Sequence, residues 1–321
     1  MLVIHHEDDA QPLTWQTGNA IPDDAIWFDL CNADAAERKA VEQTLGLALP
    51  RREDIRGIGL AGRNRSAGDT LFLHVSRFAD AEDEHKHATP LSLVLTPKVL
   101  VTQRYARSQT FDNAAQQLRD SPQGDGASAA FACLIETMAE RTAGSMQKIA
   151  GDVAELSDEV FSDHRDSSRQ LRRWLLHVGQ LEGRLARSRA SLLGITRIVS
   201  FVCDKRPEWM PAAQQSRLAT VRNDLVTLDE FDQQLTDKLQ FLLDAIFGFI
   251  SVNQNSVMKL FTVASVVAVP PVLLAGIWGM NFRHMPELSW TWGYAFALGT
   301  IALSILIPLA IFKWRGWLTR D

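Results

Sequence analysis

Cysteine is scarce in this chain: Cys31, Cys133 and Cys203 are the only three in 321 residues, widely separated and odd in number. They suggest neither a disulfide framework nor a zinc-ligating cluster, and a reducing cytosol suits them. The front lacks the marks of a signal peptide. His5, His6, Glu7, Asp8 and Asp9 stand where a basic start and an apolar core would be, so the polar part of the chain is expected to stay where it is synthesised. Excess positive charge is missing too: the net charge is −5, and no basic patch with interleaved aromatics gives a reason to expect nucleic acid as a partner. There is no glycine-rich loop to cradle phosphates. Acidic pairs abound without a Ser/His or Cys/His constellation to give them a reaction, so an enzyme is not expected. His85-Lys86-His87 lies in a charged stretch and reads as solvated.

Charge itself is absent from two C-terminal stretches, residues 260–282 and 288–312. Each exceeds the roughly 20 residues that a helix needs to cross a bilayer. They are joined by Gly279-Met280-Asn281-Phe282 and Met285-Pro286-Glu287-Leu288, which predicts a membrane hairpin with both chain ends on one side and the turn at the far surface. Lys259, Lys313, Arg315 and Arg320 flank the stem against Arg283 alone in the turn, so the positive-inside bias places both termini in the cytoplasm.

Ahead of the hairpin the chain divides by pattern into a cytoplasmic α/β domain over 1–126, a helical bundle and stalk over 127–257, and the membrane hairpin with its basic tail over 258–321. Ile26-Trp27-Phe28-Asp29-Leu30 is strand-like, and Asp34 is placed to cap a helix that ends before Pro50. Residues 70–78, 91–96 and 99–104 are β-rich, the last two separated only by Pro97-Lys98 as in a hairpin. Helices are expected over 129–161 and 167–201, with a turn through Asp163 and Asp166. A third helix should run unbroken from Pro211 to about Trp278, roughly 100 Å at 1.5 Å per residue. Its apolar seam is Leu218, Val221, Leu225, Leu228, Leu235, Leu239, Leu242, Ile246 and Phe249, interrupted by Asp232. A seam of that length packs along the helix. Either the two preceding helices cover it or, as the exposed length favours, further copies of the chain do.

Within the first apolar stretch a second series recurs every three or four residues: Ser251, Asn255, Met258, Thr262, Ser265, Val269, Val272, Gly276 and Gly279. Small and polar side chains in a membrane face other helices or a water-filled path. An amide near each end, Asn255 and Asn281, tilts the reading from plain packing toward a cation path, with Met258 and Val269 as dry constrictions. Pro270-Pro271 removes two backbone donors, which predicts a bend or widening there.

Gly279-Met280-Asn281 after the first of two C-terminal spans, then Phe282, Met285-Pro286-Glu287-Leu288 and the end Lys313-Trp314-Arg315-Gly316-Trp317-Leu318, resemble the CorA family of divalent metal ion transporters. Trp27-Phe28-Asp29-Leu30, Leu45-Gly46-Leu47 with Pro50-Arg51-Arg52-Glu53-Asp54, and Leu95-Thr96-Pro97 are similar to family segments less sharply. The resemblance implies an α+β multidomain membrane protein: a homopentameric funnel whose long stalk helix continues into a pore helix, with an outer second membrane helix. It implies passive, potential-driven uptake of hydrated Mg²⁺ across the plasma membrane (bacterial inner membrane), with Co²⁺ or Ni²⁺ as further cargo and no organic cofactor. Gly279, Met280 and Asn281 would form the selectivity filter, with Arg283 and Glu287 in the outer loop. Arg283 departs from the acidic residue many relatives carry, and Val272 from the Thr of some.

Family members close when Mg²⁺ binds acidic residues between subunits. The candidates here are Asp232, Asp224 and Asp229, and Asp232 leads because leucine would suit the seam better. Two alternatives stand beside this reading: a Zn²⁺ transporter of the same superfamily, and a membrane-anchored sensor or scaffold without conductance.

Overall fold

The computed structural model describes residues 1–6, 12–16, 19–52, 64–78, 89–120, 126–162, 168–280, 285–286 and 290–317. By contact the chain forms two units, one of residues 1–164 and 173–243, the other of 165–172 and 244–321.

The first unit is built on a mixed seven-stranded sheet: β1 (Leu2–His6), β2 (Leu13–Thr14), β3 (Ala25–Cys31), β4 (Arg65–Ala67), β5 (Thr70–Phe78), β6 (Thr89–Leu95) and β7 (Leu100–Arg104), in spatial order β2-β1-β3-β7-β6-β5-β4. Only the β3/β7 pair is parallel; β6 and β7 form the hairpin expected around Pro97-Lys98, with Leu95 opposite Leu100. Thr96 closes that turn, its hydroxyl accepting from Val99 N at 2.9 Å. Every residue of β3 is buried. Such a strand, covered on both faces, shows an apolar run rather than alternation. Strands β1, β2 and β4 carry at most the three-residue run Leu2-Val3-Ile4, and the sequence reading missed them.

Helix α1 (Ala35–Leu45) packs on one face of the sheet through Val41 and Leu45, against Leu2, Ile4, Phe28, Leu30 and Val101. Asp34 caps it as the sequence predicts. Its carboxylate accepts from Glu37 N at 2.8 Å, Glu37 returns the bond to Asp34 N at 2.9 Å, and Gly46 ends the helix at φ 64°, a complete capping box with a left-handed stop. Glu37 also accepts from the N-terminal ammonium at 2.9 Å and from Leu2 N at 2.9 Å, tying β1 to the helix start.

Three further helices follow in this unit: α2 (Gln109–Asp120), α3 (Ala127–Phe161) and α4 (Ser168–Lys205). The fifth helix, α5 (Ala212–Trp278), belongs to this unit up to residue 243 and runs through Pro270 and Pro271 as one helix, close to the 211–278 read from the sequence. Antiparallel α3 and α4 are pinned by the Arg184–Asp152 ion pair, a 3.1 Å contact between Ser145 and Ser188, and Trp174 Nε1 donating to Glu159 at 3.2 Å. Arg217 on α5 pairs with Glu136 on α3.

Helix α4 also approaches the sheet closely. A Cβ on Gly194 would overlap Val75 of β5, and Asn64 bridges the same elements, donating to Arg197 O at 3.1 Å and accepting from His74 N at 2.9 Å. Val75 is buried and β-branched, so it has little freedom to yield. Gly194→Ala should therefore cost about 1–3 kcal/mol, read as a lower thermal midpoint of the detergent-solubilised protein. An unchanged midpoint would show that the helix can back away.

The seam on α5 turns out to be covered. Leu218, Val221, Leu225, Leu235, Leu239, Leu242 and Ile246 are buried within one chain, and Leu228 and Phe249 half-buried. This corrects the preference for further copies at the seam: intrachain packing satisfies it. The apolar side chains left exposed are others, including Leu176, Leu193, Val226 and Phe241.

In the second unit α5 ends at Trp278 and α6 (Gly293–Trp314) follows. The second apolar helix thus starts several residues later than the uncharged stretch suggests, because Trp290, Thr291 and Trp292 form a turn before it. Both helices are long and apolar enough to cross a membrane, and neither apolar window is buried within the chain.

Candidate functional site

Along the apolar part of α5 the half-buried residues are Val263, Val267, Pro270, Pro271, Leu274 and Trp278. Their spacing puts them on one helix face. On α6 the half-buried residues include Ala297, Ile301, Ser304, Pro308 and Phe312, again one face. Each helix thus has one partly covered face, and apart from Ala297 and Ser304 the residues named on it are bulky.

All nine members of the small and polar series, Ser251, Asn255, Met258, Thr262, Ser265, Val269, Val272, Gly276 and Gly279, are exposed. At 100° per residue their mean direction lies about 180° from the half-buried face. The stripe is therefore on the side of α5 turned away from the half-buried one. Thr262 donates to Met258 O at 2.8 Å and Ser256 to Val252 O at 3.1 Å; such i−4 bonds satisfy a hydroxyl in an apolar setting while leaving its lone pairs presented outward.

At the end of α5, Gly279 N donates to Ala275 O at 2.9 Å and Met280 N to Ile277 O at 3.2 Å. A Cβ on Gly279 would stand 3.1 Å from the Ala275 carbonyl oxygen. Glycine thus permits a tight helix end ahead of the turn. Asn281, Arg283 and Glu287 lie outside the described residues.

Of the regulatory candidates, Asp224 is exposed, Asp229 half-buried and Asp232 only 2% exposed. Among the described residues no group of three or more acidic, His or Cys side chains is arranged to hold a metal ion. Asp163 and Asp166 are outside the described residues. In the single chain Asp232 is engaged across two helices. Its carboxylate accepts from Arg189 Nε on α4, and the same guanidinium donates to Thr236 Oγ1. Burial pushes the Asp232 carboxyl up, opposed by Arg189. The break in the seam thus accommodates an interhelix ion pair. Nothing in the sequence pattern marked Arg189, which lies in a helix rich in arginine.

Removing either partner should have unequal effects. Arg189→Ala strands a buried carboxylate whose Oδ1 already lacks a hydrogen bond among the described residues, at a cost of about 3 kcal/mol. Asp232→Leu completes the apolar seam and frees a guanidinium that is 40% exposed, so stability should be unchanged or raised. Thermal midpoints of the two variants decide; equal losses would mean that the pair contributes net stability.

A family model described as CorA-like Mg²⁺ transporter protein matches residues 22–314. The magnesium transport protein CorA of Salmonella typhimurium is 30% identical over 296 residues, covering 92% of this chain and 92% of its own. The chain belongs to this family. Among solved structures, the CorA magnesium transporter from Methanocaldococcus jannaschii shares the fold with TM-score 0.77 over 99% of both chains at 13% identity. The ZntB cytoplasmic domain from Vibrio parahaemolyticus matches 78% of this chain and 98% of its own at TM-score 0.58 and 11% identity. For a CorA-family chain the soluble α/β unit, the long helix and the pair of apolar helices are the expected parts, and the sequence resemblance to the family holds.

Proposed function

We propose that the chain is a channel-type Mg²⁺ uptake protein of the plasma membrane, with both termini in the cytoplasm and five copies around a central axis. The observation that carries this reading is the opposition of faces on α5: one half-buried, the other carrying the small and polar stripe into open space. A stripe left uncovered by the described residues of its own chain fits a shared wet axis. The exposed apolar residues of the helical region, Leu176, Leu193, Val226 and Phe241, fit contact with further copies.

Mg²⁺ gives up its waters reluctantly, so selection falls on the hydrated ion. A ring of Asn281 amides accepts hydrogen bonds from those waters without a trapping charge, Gly279 keeps the helix end tight, and Met280 sets the turn. Glu287 draws cations to the mouth and Arg283 offsets it. Met258 and Val269, 64% and 51% exposed in the single chain, are the apolar constrictions. Two charges crossing 100 mV gain about 4.6 kcal/mol, roughly a two-thousandfold concentration ratio, so no ATP is needed. Cytoplasmic Mg²⁺ closes the pore through acidic residues of the long helix, for which Asp224 and Asp229 offer accessible carboxylates and Asp232 would first have to leave Arg189. Co²⁺ and Ni²⁺ are expected as weaker cargo.

Purified protein in liposomes loaded with a Mg²⁺-sensitive dye tests the reading. Imposing an inside-negative potential with K⁺ and valinomycin should start Mg²⁺ entry that scales with the potential. No flux would favour an anchored sensor or scaffold, and Zn²⁺ flux without Mg²⁺ flux would favour the zinc reading.

A further inference from the structure

The end of α6 is built with more care than a simple stop requires. Trp317 N donates to Phe312 O at 2.9 Å and Gly316 N to Lys313 O at 3.2 Å, with Gly316 at φ 72°. These are the paired bonds of a Schellman stop, and the apolar contact that accompanies it is present: the Phe312 and Trp317 rings stack at 5.4 Å. The turn folds Trp317 back beside the last apolar turn. Lys313 and Arg315 belong to the same turn and are exposed, and Trp314 projects outward at 88% exposure. Among the described residues neither Lys313 nor Arg315 has a carboxylate partner within ion-pair reach. Lys313 is the first charge after the uncharged stretch, which puts this turn at the depth where lipid headgroups begin, the level that tryptophan favours.

We propose that this turn is a binding site for the phosphodiester headgroup of an anionic phospholipid in the leaflet on the stem side of the hairpin. Lys313 and Arg315 pair with the phosphate, and Trp314 and Trp317 flank it at the interface. Arginine matches a phosphate with two parallel donors, and lysine adds a point charge. The negative end of the α6 dipole favours both cations near the helix end. The proposal rests on the reading of α5 and α6 as spans; flux in neutral-lipid liposomes reports that reading separately.

The test uses full-length protein in phosphatidylcholine bilayers, with tryptophan quenching by brominated phosphatidylglycerol compared with brominated phosphatidylcholine to give a relative association constant. The parent should prefer the anionic lipid. Each neutralised cation should reduce that preference about fivefold, and K313Q/R315Q about twenty-five-fold or down to parity. R315K should keep most of it, and G316A, which forces a side chain into the left-handed turn, should lose part with both charges present. Undiminished preference in K313Q/R315Q would overturn the proposal, as would displacement of the lipid by inorganic phosphate at constant ionic strength, since that marks a soluble-anion site.

Discussion

Asn281→Ala is expected to reduce Mg²⁺ entry into liposomes at least tenfold without changing the thermal midpoint. The amide is assigned to hold water of the hydrated ion, and a hydrogen bond to a charged or strongly polarised partner contributes about 1.5–3 kcal/mol. Loss at even one subunit would account for about ten- to a hundredfold, and in the proposed ring every copy is lost together. Methyl groups at the mouth also leave the ion's waters facing apolar surface, which a strongly hydrated cation avoids. Asn281→Gln keeps the amide on a longer arm and should retain part of the rate with weaker discrimination against Co²⁺. A parental rate in Asn281→Ala would remove the filter from this position. It would leave the exposed stripe on α5 to be tested by flux alone.

Asp29→Ala should destabilise the sheet unit by about 3–5 kcal/mol, seen as a drop of about 10 °C in thermal midpoint. Asp29 lies on β3 and Arg104 on β7, joined where the sheet is parallel, and both are buried. The carboxylate receives Arg104 Nη2 at 2.7 Å, Nε at 3.0 Å and the Thr102 hydroxyl at 2.7 Å; that hydroxyl in turn accepts from Trp27 Nε1 at 3.0 Å. Burial works against the Arg104 charge, and Asp29 more than restores it. Phe111 lies under the guanidinium at 4.9 Å, and His5 stacks on Trp27 at 4.6 Å, burial lowering its pKa to about 4. Removing the carboxylate leaves the buried guanidinium with the exposed Asp112 carboxylate, 3.8 Å away, as its counter-charge among the described residues. Asp29→Leu combined with Arg104→Met removes both charges and should recover most of the loss. If the single variant is as stable as the parent, water reaches the pair and the network is not a core element.

Local signals in the chain were legible where they are self-contained. The Asp34 cap needs only Glu37, the Pro97-Lys98 hairpin needs only its flanking β-rich runs, and α5 announces its length by the absence of a breaker between Pro211 and Pro270. The strands β1, β2 and β4 were not legible, since each is short and takes its place from a neighbour rather than from its own pattern. Asp232 was conspicuous as a break in an apolar seam, but its partner Arg189 sits on another helix, and a one-dimensional pattern does not pair them. Likewise Gly194 reads as one more helical glycine until Val75 is seen against it.

The sequence by itself pointed to the family through a Gly-Met-Asn motif between two uncharged stretches, a signal readable along the chain because hydrocarbon thickness sets the length of each stretch. Tertiary structure alone decided which face of α5 is covered and which is open, that the seam is satisfied within one chain, and that Asp29 and Asp232 answer to arginines. Burial and pairing depend on distances across the fold, and those distances are set only once the helices and strands have packed.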